Sequence, residues 1–431
     1  MGITALCICI ICLVASLLLF RNRPVSPVSF FFALWSLVVF LSLIGLYDMK
    51  EPSGEVYFLL MLMVVCFFAG SVAYERIPGR KEDKSIVGKV CVRWKIFYIL
   101  LVMLVLVEIF DAGFMLSHCL NGTQVTEYRN WVYEPWGSRN PVLDRRSLVE
   151  EAFRTLVLSP FGALVHPTAA YIFFDRNETR RRRYGLCGIS LLHLVLGNIS
   201  SGGGRLALIY YIGCFLLAFL VFLQEKKITE SDKKKYGILA GFAILAGMGM
   251  LLANTIARSG TGMLLKHAYT YFAMPPTLLS EWLPTLKEAT HTYGMLTFFG
   301  VHSYFFRTLH MIGLDSLVPD IYYEAYRHVL NANEFYELGF GTGNAFVTPV
   351  YYLFIDGGYL FVCIVSAGFG GVIAALYHRL AREMNIRNFT LYIIMMYGVF
   401  VSFMRVSTVI PGYWIEIIAA LLLYKKVRKE T

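Results

Sequence analysis

Long apolar runs separated by short polar or basic stretches set the pattern of this chain. They fall near residues 3–20, 28–47, 56–74, 96–116, 152–174, 184–197, 206–223, 236–253, 359–377, 389–404 and 411–423. A bilayer-crossing helix needs about 20 mostly apolar residues, and all but a few of the runs approach that length, 184–197 and 411–423 being the shortest. The pattern predicts an all-α polytopic membrane protein of about eleven transmembrane helices, within a range of ten to twelve, in one integral membrane domain over residues 1–431.

Two stretches break the pattern. Residues 117–151 and 254–344 are polar and aromatic, and the span count puts both on the same, outer side of the membrane. The second holds Arg258, His267, His291, His302, Arg307, His310, Arg327, His328 and Glu337. Pro275-Pro276 and Pro284 are expected to break its first part into short pieces. Residues 295–312 are expected to form an amphipathic helix at the interface. The apolar run after Asn344 reaches only Ile355 before Asp356-Gly357-Gly358 interrupts it. That run is too short to cross, so a half-helix or broken helix lining a cavity is expected there. Asp356 is placed to cap the helix that follows.

Composition agrees with the pattern. The chain is 57% hydrophobic and 16% charged, against about 25% charged in soluble domains. Its net charge of +10 follows membrane topology rather than a nucleic-acid face. Most Lys and Arg lie in short loops at alternate helix ends: Arg21/Arg23, residues 76–95, Arg176 with Arg180 to Arg183, Lys226 to Lys235, Arg379 to Arg387, and Lys425 to Lys429. The side rich in Lys and Arg is the cytoplasm, so the N-terminus is expected outside and the C-terminus inside. The first apolar run is expected to stay as a span, because no charged region precedes it and Arg21 and Arg23 follow it. The nine cysteines show neither zinc spacing nor a disulfide framework.

The outer-side cations are ten Arg and only three Lys. A planar guanidinium binds phosphate oxygens two at a time and keeps its charge in a dry site. Arg205, Arg258 and Arg405 fall at outer ends of spans, each with Gly or Ser within two residues. Each either snorkels to the headgroups or holds an anion. A lipid-linked diphosphate fits such a cluster, since its phosphates lie at headgroup level and its tail in the bilayer. Glycosyl transfer from that donor develops charge on the leaving diphosphate and needs a base for the incoming hydroxyl. The candidate catalytic residues are Arg205, Arg258, His302 and Glu337. The candidate substrate contacts are Arg129, Arg307, Arg327, His328, Asp356 and Arg405. A packing role stays open for each. The three glycines of Ser201–Arg205 let backbone approach either a neighbouring helix or a bound anion. No HExxH, Walker loop or GxGxxG after a strand is present, so no metal or cofactor is expected.

The layout resembles the O-antigen and capsule polymerases, the bacterial oligosaccharide repeat-unit polymerases. The likeness rests on the SGGGR of Ser201–Arg205 opening a span, Arg258-Ser-Gly after a span, and the long outer loop. It rests also on Gly343-Asn344 running through Tyr351-Tyr352 to Asp356-Gly357-Gly358. The resemblance implies a metal-independent glycosyltransferase of the inner membrane, working at its periplasmic face on undecaprenyl-diphosphate-linked oligosaccharides. It implies a role for Arg205 and Arg258, and makes a chain-length regulator a partner to test. An O-antigen ligase shares the layout. A transporter or flippase of lipid-linked sugars would show mid-span charges; here these are Glu108, Asp111 and Glu416, with Glu108 able to pair inside the bundle.

Overall fold

In the computed structural model, residues 1–19, 26–76, 89–133, 141–224, 264–339 and 341–427 are described, with scattered helical positions between 233 and 252. Leaving aside one-turn pieces, the helices are α1 (Gly2–Leu19), α2 (Pro27–Ile44), α3 (Gly54–Glu75), α4 (Trp94–Leu120), α5 (Val125–Tyr133), α6 (Leu148–Phe174), α7 (Arg180–Ser200), α8 (Arg205–Gln224), α9 (Leu264–Glu288), α10 (Phe299–Met311), α11 (Asp320–Asn331), α12 (Thr348–Arg382), α13 (Ile386–Phe400) and α14 (Pro411–Leu423). The strands are short: β1 (Lys89–Val92) pairs with β4 (Tyr424–Val427), and β2 (Tyr336–Glu337) with β3 (Thr342–Gly343), both antiparallel.

Among the described residues, eight helices are long and apolar enough to cross a membrane: α1, α2, α3, α4, α6, α8, α12, and α13 extended through Phe403. α14 is apolar but shorter. The chain is therefore helical and multi-pass in character. α7 is long enough to cross, yet it opens on four arginines behind a Thr179 cap. Those arginines, expected in a loop, are the first turn of a helix. Arg182 pairs with Glu178 at 2.6 Å, and Arg183 donates to the Phe173 carbonyl at 2.7 Å. The run expected at 236–253 lies mostly outside the described residues.

The chain divides into two compact units. The first holds Met1–Val87, Gly262–Met384 and Ile394–Trp414. Its closest helix pair is α3 with α12. A Cβ on Gly70 would run into the Ala367 carbonyl oxygen, and one on Gly370 into that of Phe67. Lipid tails are as apolar as leucine, so membrane helices gain little by hydrophobicity and associate through close backbone approach and interhelical hydrogen bonds. The bonds are present here too: Ser16 to Ser29 at 3.0 Å, Ser42 with Tyr57 at 3.2 Å, and Trp35 Nε1 donating to Ser402 Oγ at 3.2 Å.

α12 breaks where the sequence interrupts. Gly358 sits at φ 61°, ψ −149°, a region essentially reserved for glycine. The half-helix before the break is buried along its whole length, Thr348 to Asp356. α9 corrects an expectation. Three prolines lie inside it, and it still runs unbroken for 25 residues. Its packing outweighs the lost backbone bonds: Leu278, Leu279 and Trp282 are buried, Lys50 pairs with Glu281 at 3.0 Å, and Lys287 with Glu55 at 2.6 Å.

The second unit holds Gly88–Thr261, Asn385–Ile393 and Ile415–Thr431. Here α6 packs between α7 and α8, and α4 lies along α7. The β1–β4 ribbon joins a basic segment near residue 89 to the basic C-terminal segment. The Tyr424 hydroxyl meets Thr168 at 2.6 Å, which ties that ribbon to α6.

Candidate functional site

The second unit holds an open cavity of about 500 Å³ with a mixed apolar and charged lining, inside the ~300–1,000 Å³ range of ligand pockets. It exists because α6 is irregular. Residues Arg154–Leu158 form a π turn, a feature that widens a helix and recurs at functional sites. Farther along, Pro167 has no N–H to give the Ala163 carbonyl. The Tyr210 hydroxyl donates to that carbonyl instead, at 3.0 Å. No water stands by in a membrane core to satisfy freed backbone groups, so the irregular helix must draw side chains from its neighbours. Those side chains line the cavity.

On one wall, α4 contributes Glu108 and Asp111, three residues apart and so on one helix face. Asp111 lies nine residues before the end of α4, a depth of about 14 Å at 1.5 Å per residue. Its carboxylate takes Arg154 Nη1 at 2.5 Å, Arg146 Nη2 at 3.4 Å, and Arg145. Arg146 also reaches Glu151 at 2.9 Å, and Arg154 reaches Glu150 at 2.7 Å. Arg145 stacks over Phe114 at 4.0 Å. Three guanidinium groups thus face three carboxylates, and the network is electrically balanced.

Deeper in, Glu108 Oε1 lies 2.6 Å from His193 Nδ1, and His193 Nε2 lies 3.2 Å from the Gly162 carbonyl. Gly162 makes this possible, for a Cβ there would sit 3.2 Å from the imidazole. A carbonyl only accepts, so Nε2 carries a hydrogen. The ring is then either an imidazolium beside a carboxylate, or a neutral ring accepting from a protonated Glu108. Both forms hold one shared proton and no net charge. Glu108 Oε2 is buried and has no hydrogen-bond partner among the described residues. His166 stacks on His193 with centroids 4.8 Å apart, and its Nδ1 meets Ser190 Oγ at 2.8 Å.

At the same end lies the turn between α7 and α8. Gly202 and Gly203 take φ of +65° and +84°, and Gly203 N–H bonds to the Asn198 carbonyl at 2.8 Å. Asn198 Nδ2 closes the turn on Gly204 O at 2.9 Å. This delivers Arg205, half-buried, as the first residue of α8. A Cβ on Gly202 would lie 3.2 Å from the Arg129 Cβ. Of the two roles open for these glycines, close approach of a neighbouring helix is the one observed. It brings together the turn that carries Arg205 and the helix that carries Arg129. Arg258 lies outside the described residues.

The remaining residues singled out by sequence are in the first unit. Asp356 is fully buried at the α12 break. It does not cap the following helix. Its carboxylate accepts from the Leu296 N–H at 3.1 Å, the Thr297 N–H at 2.7 Å, and the Thr292 hydroxyl, and so fixes the turn before α10. His302 donates from Nε2 to the Met295 carbonyl at 2.9 Å, while its Nδ1 is buried without a partner among the described residues. His328 is buried, and its Nε2 likewise has no partner among the described residues. Burial lowers the pKa of both rings, and the Arg327 charge adds to the effect at His328. Arg405 is half-buried in the turn after α13, with its charge near Tyr352. Arg307 and Arg327 are exposed, Arg327 paired with Glu324. Glu337 is exposed on β2. Asp356 is the charge that acts on both His302 and His328.

Sequence reading missed His193 and His166, which sit in apolar runs, and gave no role to Arg145, Arg146 and Arg154. One signal was available: two carboxylates three residues apart inside an otherwise apolar span need partners at that depth. Among the described residues, no three of His, Cys, Asp and Glu gather as metal ligands. Compared with known proteins, the chain matches no protein-family model, no curated protein and no solved structure.

Proposed function

We propose that this chain is a membrane glycosyltransferase that polymerises undecaprenyl-diphosphate-linked oligosaccharide repeat units, at the periplasmic face of a bacterial inner membrane, for O-antigen, capsule or exopolysaccharide. One observation carries the reading. A bundle of apolar helices lines an open cavity holding a carboxylate–imidazole pair, next to a glycine turn that bears Arg205 and rests against Arg129. Glycosyl transfer needs a proton acceptor for the incoming hydroxyl and fixed positive charge for the departing diphosphate. Arg129 and Arg205 take the second role, with Arg258 joined to them by the sequence pattern. The Asp111 network is balanced in itself, so its part is to hold the cavity wall in shape.

The same reading sets eleven spans, the N-terminus outside and the C-terminus in the cytoplasm, with a chain-length regulator as a partner. Contacts within each unit support that topology. Lys50 with Glu281 and Lys287 with Glu55 join two stretches assigned to the outer side. The β1–β4 ribbon joins two basic stretches assigned to the inner side.

A transporter of the same lipid-linked sugar is the second reading, favoured by the buried charges of α4. A reconstitution separates the two. Purified protein in sealed vesicles receives lipid-diphosphate-linked repeat units, chelator and no nucleotide. A ladder of longer glycans on a gel is the expected result. Repeat units crossing the bilayer with no ladder would transfer the assignment to the transporter. A ligase is told apart in cells: losing the polymerase leaves single capped repeat units, and losing the ligase leaves long chains on the carrier.

A further inference from the structure

We propose that Glu108 and His193 form the proton-accepting pair of glycosyl transfer, with Glu108 Oε2 as the atom that meets the acceptor hydroxyl. The assignment rests on the glycosyltransferase reading and deepens it. Glu108 is 8% exposed, lines the cavity, and keeps one carboxylate oxygen without a partner among the described residues. Its other oxygen is held at 2.6 Å by His193, which is itself held by the Gly162 carbonyl. An acid–base group is thus oriented by a second group and that one by a third, in the wall of a space of substrate size, and its unpartnered oxygen is itself buried. Desolvating an unpaired carboxylate oxygen is costly, and a purely structural pair would satisfy both oxygens.

The step balances as follows. The acceptor oxygen bonds to the anomeric carbon while the bond from that carbon to the diphosphate oxygen breaks. The electron pair of the broken bond leaves with the diphosphate. The hydroxyl proton passes to Glu108. The pair, which held one shared proton, now holds two and a single positive charge, and it returns one to water when product leaves. The other charged and titratable groups facing this pair are Asp111 on α4, Arg154, Glu151 and His166 on α6, Arg146 before it, and Tyr210 on α8.

The test uses full-length protein reconstituted with undecaprenyl-diphosphate-linked repeat units extracted from cells deleted for this chain. E108Q keeps the size of the side chain and a bond to His193 but cannot take the proton. Its kcat should fall by about 100-fold or more, with KM for the acceptor within about threefold of wild type. H193Q should slow the reaction less and shift the acid limb of the pH–rate profile, because the proton then has one group to rest on instead of two. If E108Q does not elute as wild type, E108A replaces it and should show the same split of kcat from KM. Wild-type ladders from E108Q, or from E108A where it stands in, overturn the assignment while leaving the polymerase intact. An H193Q profile that overlays wild type removes the imidazole from the pair. Absence of a ladder from wild type itself overturns the polymerase reading, and the assignment falls with it.

Discussion

Replacing Asp111 by Asn tests whether the arginine network is a structural keystone. The carboxylate and its three guanidinium partners have side chains only 11–17% exposed, so solvent screens them little. A hydrogen bond to a charged group contributes about 1.5–3 kcal/mol net. Three donors share two oxygens here, so their contributions overlap and do not sum. The larger effect is electrostatic: D111N takes a balanced set of six charges to a net of +1 in a site with little water. Breaking one side of a buried ion pair costs about 3–5 kcal/mol, and that is the expected loss. The assay is reversible unfolding of purified protein in mixed detergent and SDS micelles, comparing midpoints at constant slope. R145M alone removes one partner and leaves Asp111 with two. Combining it with D111N restores the balance, so the double variant should cost less than the sum, by about 0.5–3 kcal/mol. A D111N cost below about 1 kcal/mol, or strictly additive costs, would refute the reasoning.

Three further outcomes are expected. Gly370→Leu drives a side chain into the Phe67 carbonyl, and since backbone cannot step aside it should cost at least the ~1–3 kcal/mol of an overpacked core, read in the same unfolding assay; a neutral result would mean α3 and α12 are not so close. His302 and His328 are held below the ordinary imidazole range by burial, so the unfolded chain binds protons first as pH falls. Their contribution is complete above about pH 6.5 and is lost as pH drops through the folded values; a thermal scan from pH 8 to 5 should show the loss, and H302N/H328N should flatten it. Arg205→Lys keeps the charge and loses the fork, so polymerisation should fall by about tenfold or more, equivalent to ~1.4 kcal/mol, and wild-type rates would take Arg205 out of the diphosphate site.

The helices were legible because their signal is local. A run of apolar residues of bilayer length carries its own evidence, and so does the interruption at Asp356-Gly357-Gly358, where only glycine suits the backbone that follows. What Asp356 does was not legible. Its partners lie about sixty residues earlier, at Leu296 and Thr297, and no local rule links a carboxylate to backbone at that separation. α9 misled the reading for the opposite reason. Proline is a strong local signal for a break, and here it is overruled by burial of Trp282 and its neighbours, which sequence spacing does not show. The cavity lay between the two cases. Glu108 and Asp111 announce that partners exist, but His193 arrives from another span and Arg154 from a π turn, a register shift that a 3.6-residue pattern does not contain.

That register shift connects fold to chemistry. A regular α6 would satisfy its own carbonyls and present a smooth apolar side to α4 and α7. With a π turn at Arg154–Leu158 and a proline at 167, it needs outside donors, and the membrane offers none except side chains. Tyr210 answers the Ala163 carbonyl that Pro167 leaves free; His193 separately reaches the Gly162 carbonyl, where glycine leaves room. Once His193 is drawn in by backbone, Glu108 has a partner at a depth of about 18 Å along its helix, where an unpaired carboxylate would be hard to keep. His193 thus holds Glu108 inside the bundle by one carboxylate oxygen, while the other is buried without a partner among the described residues. The proposed glycosyl transfer needs such a group close to, and yet distinct from, the arginines proposed to receive the diphosphate. The two sets come from the same end of α7: His193 lies seven residues before the last residue, Ser200, about 10 Å along the axis, and the glycine turn that delivers Arg205 follows that end.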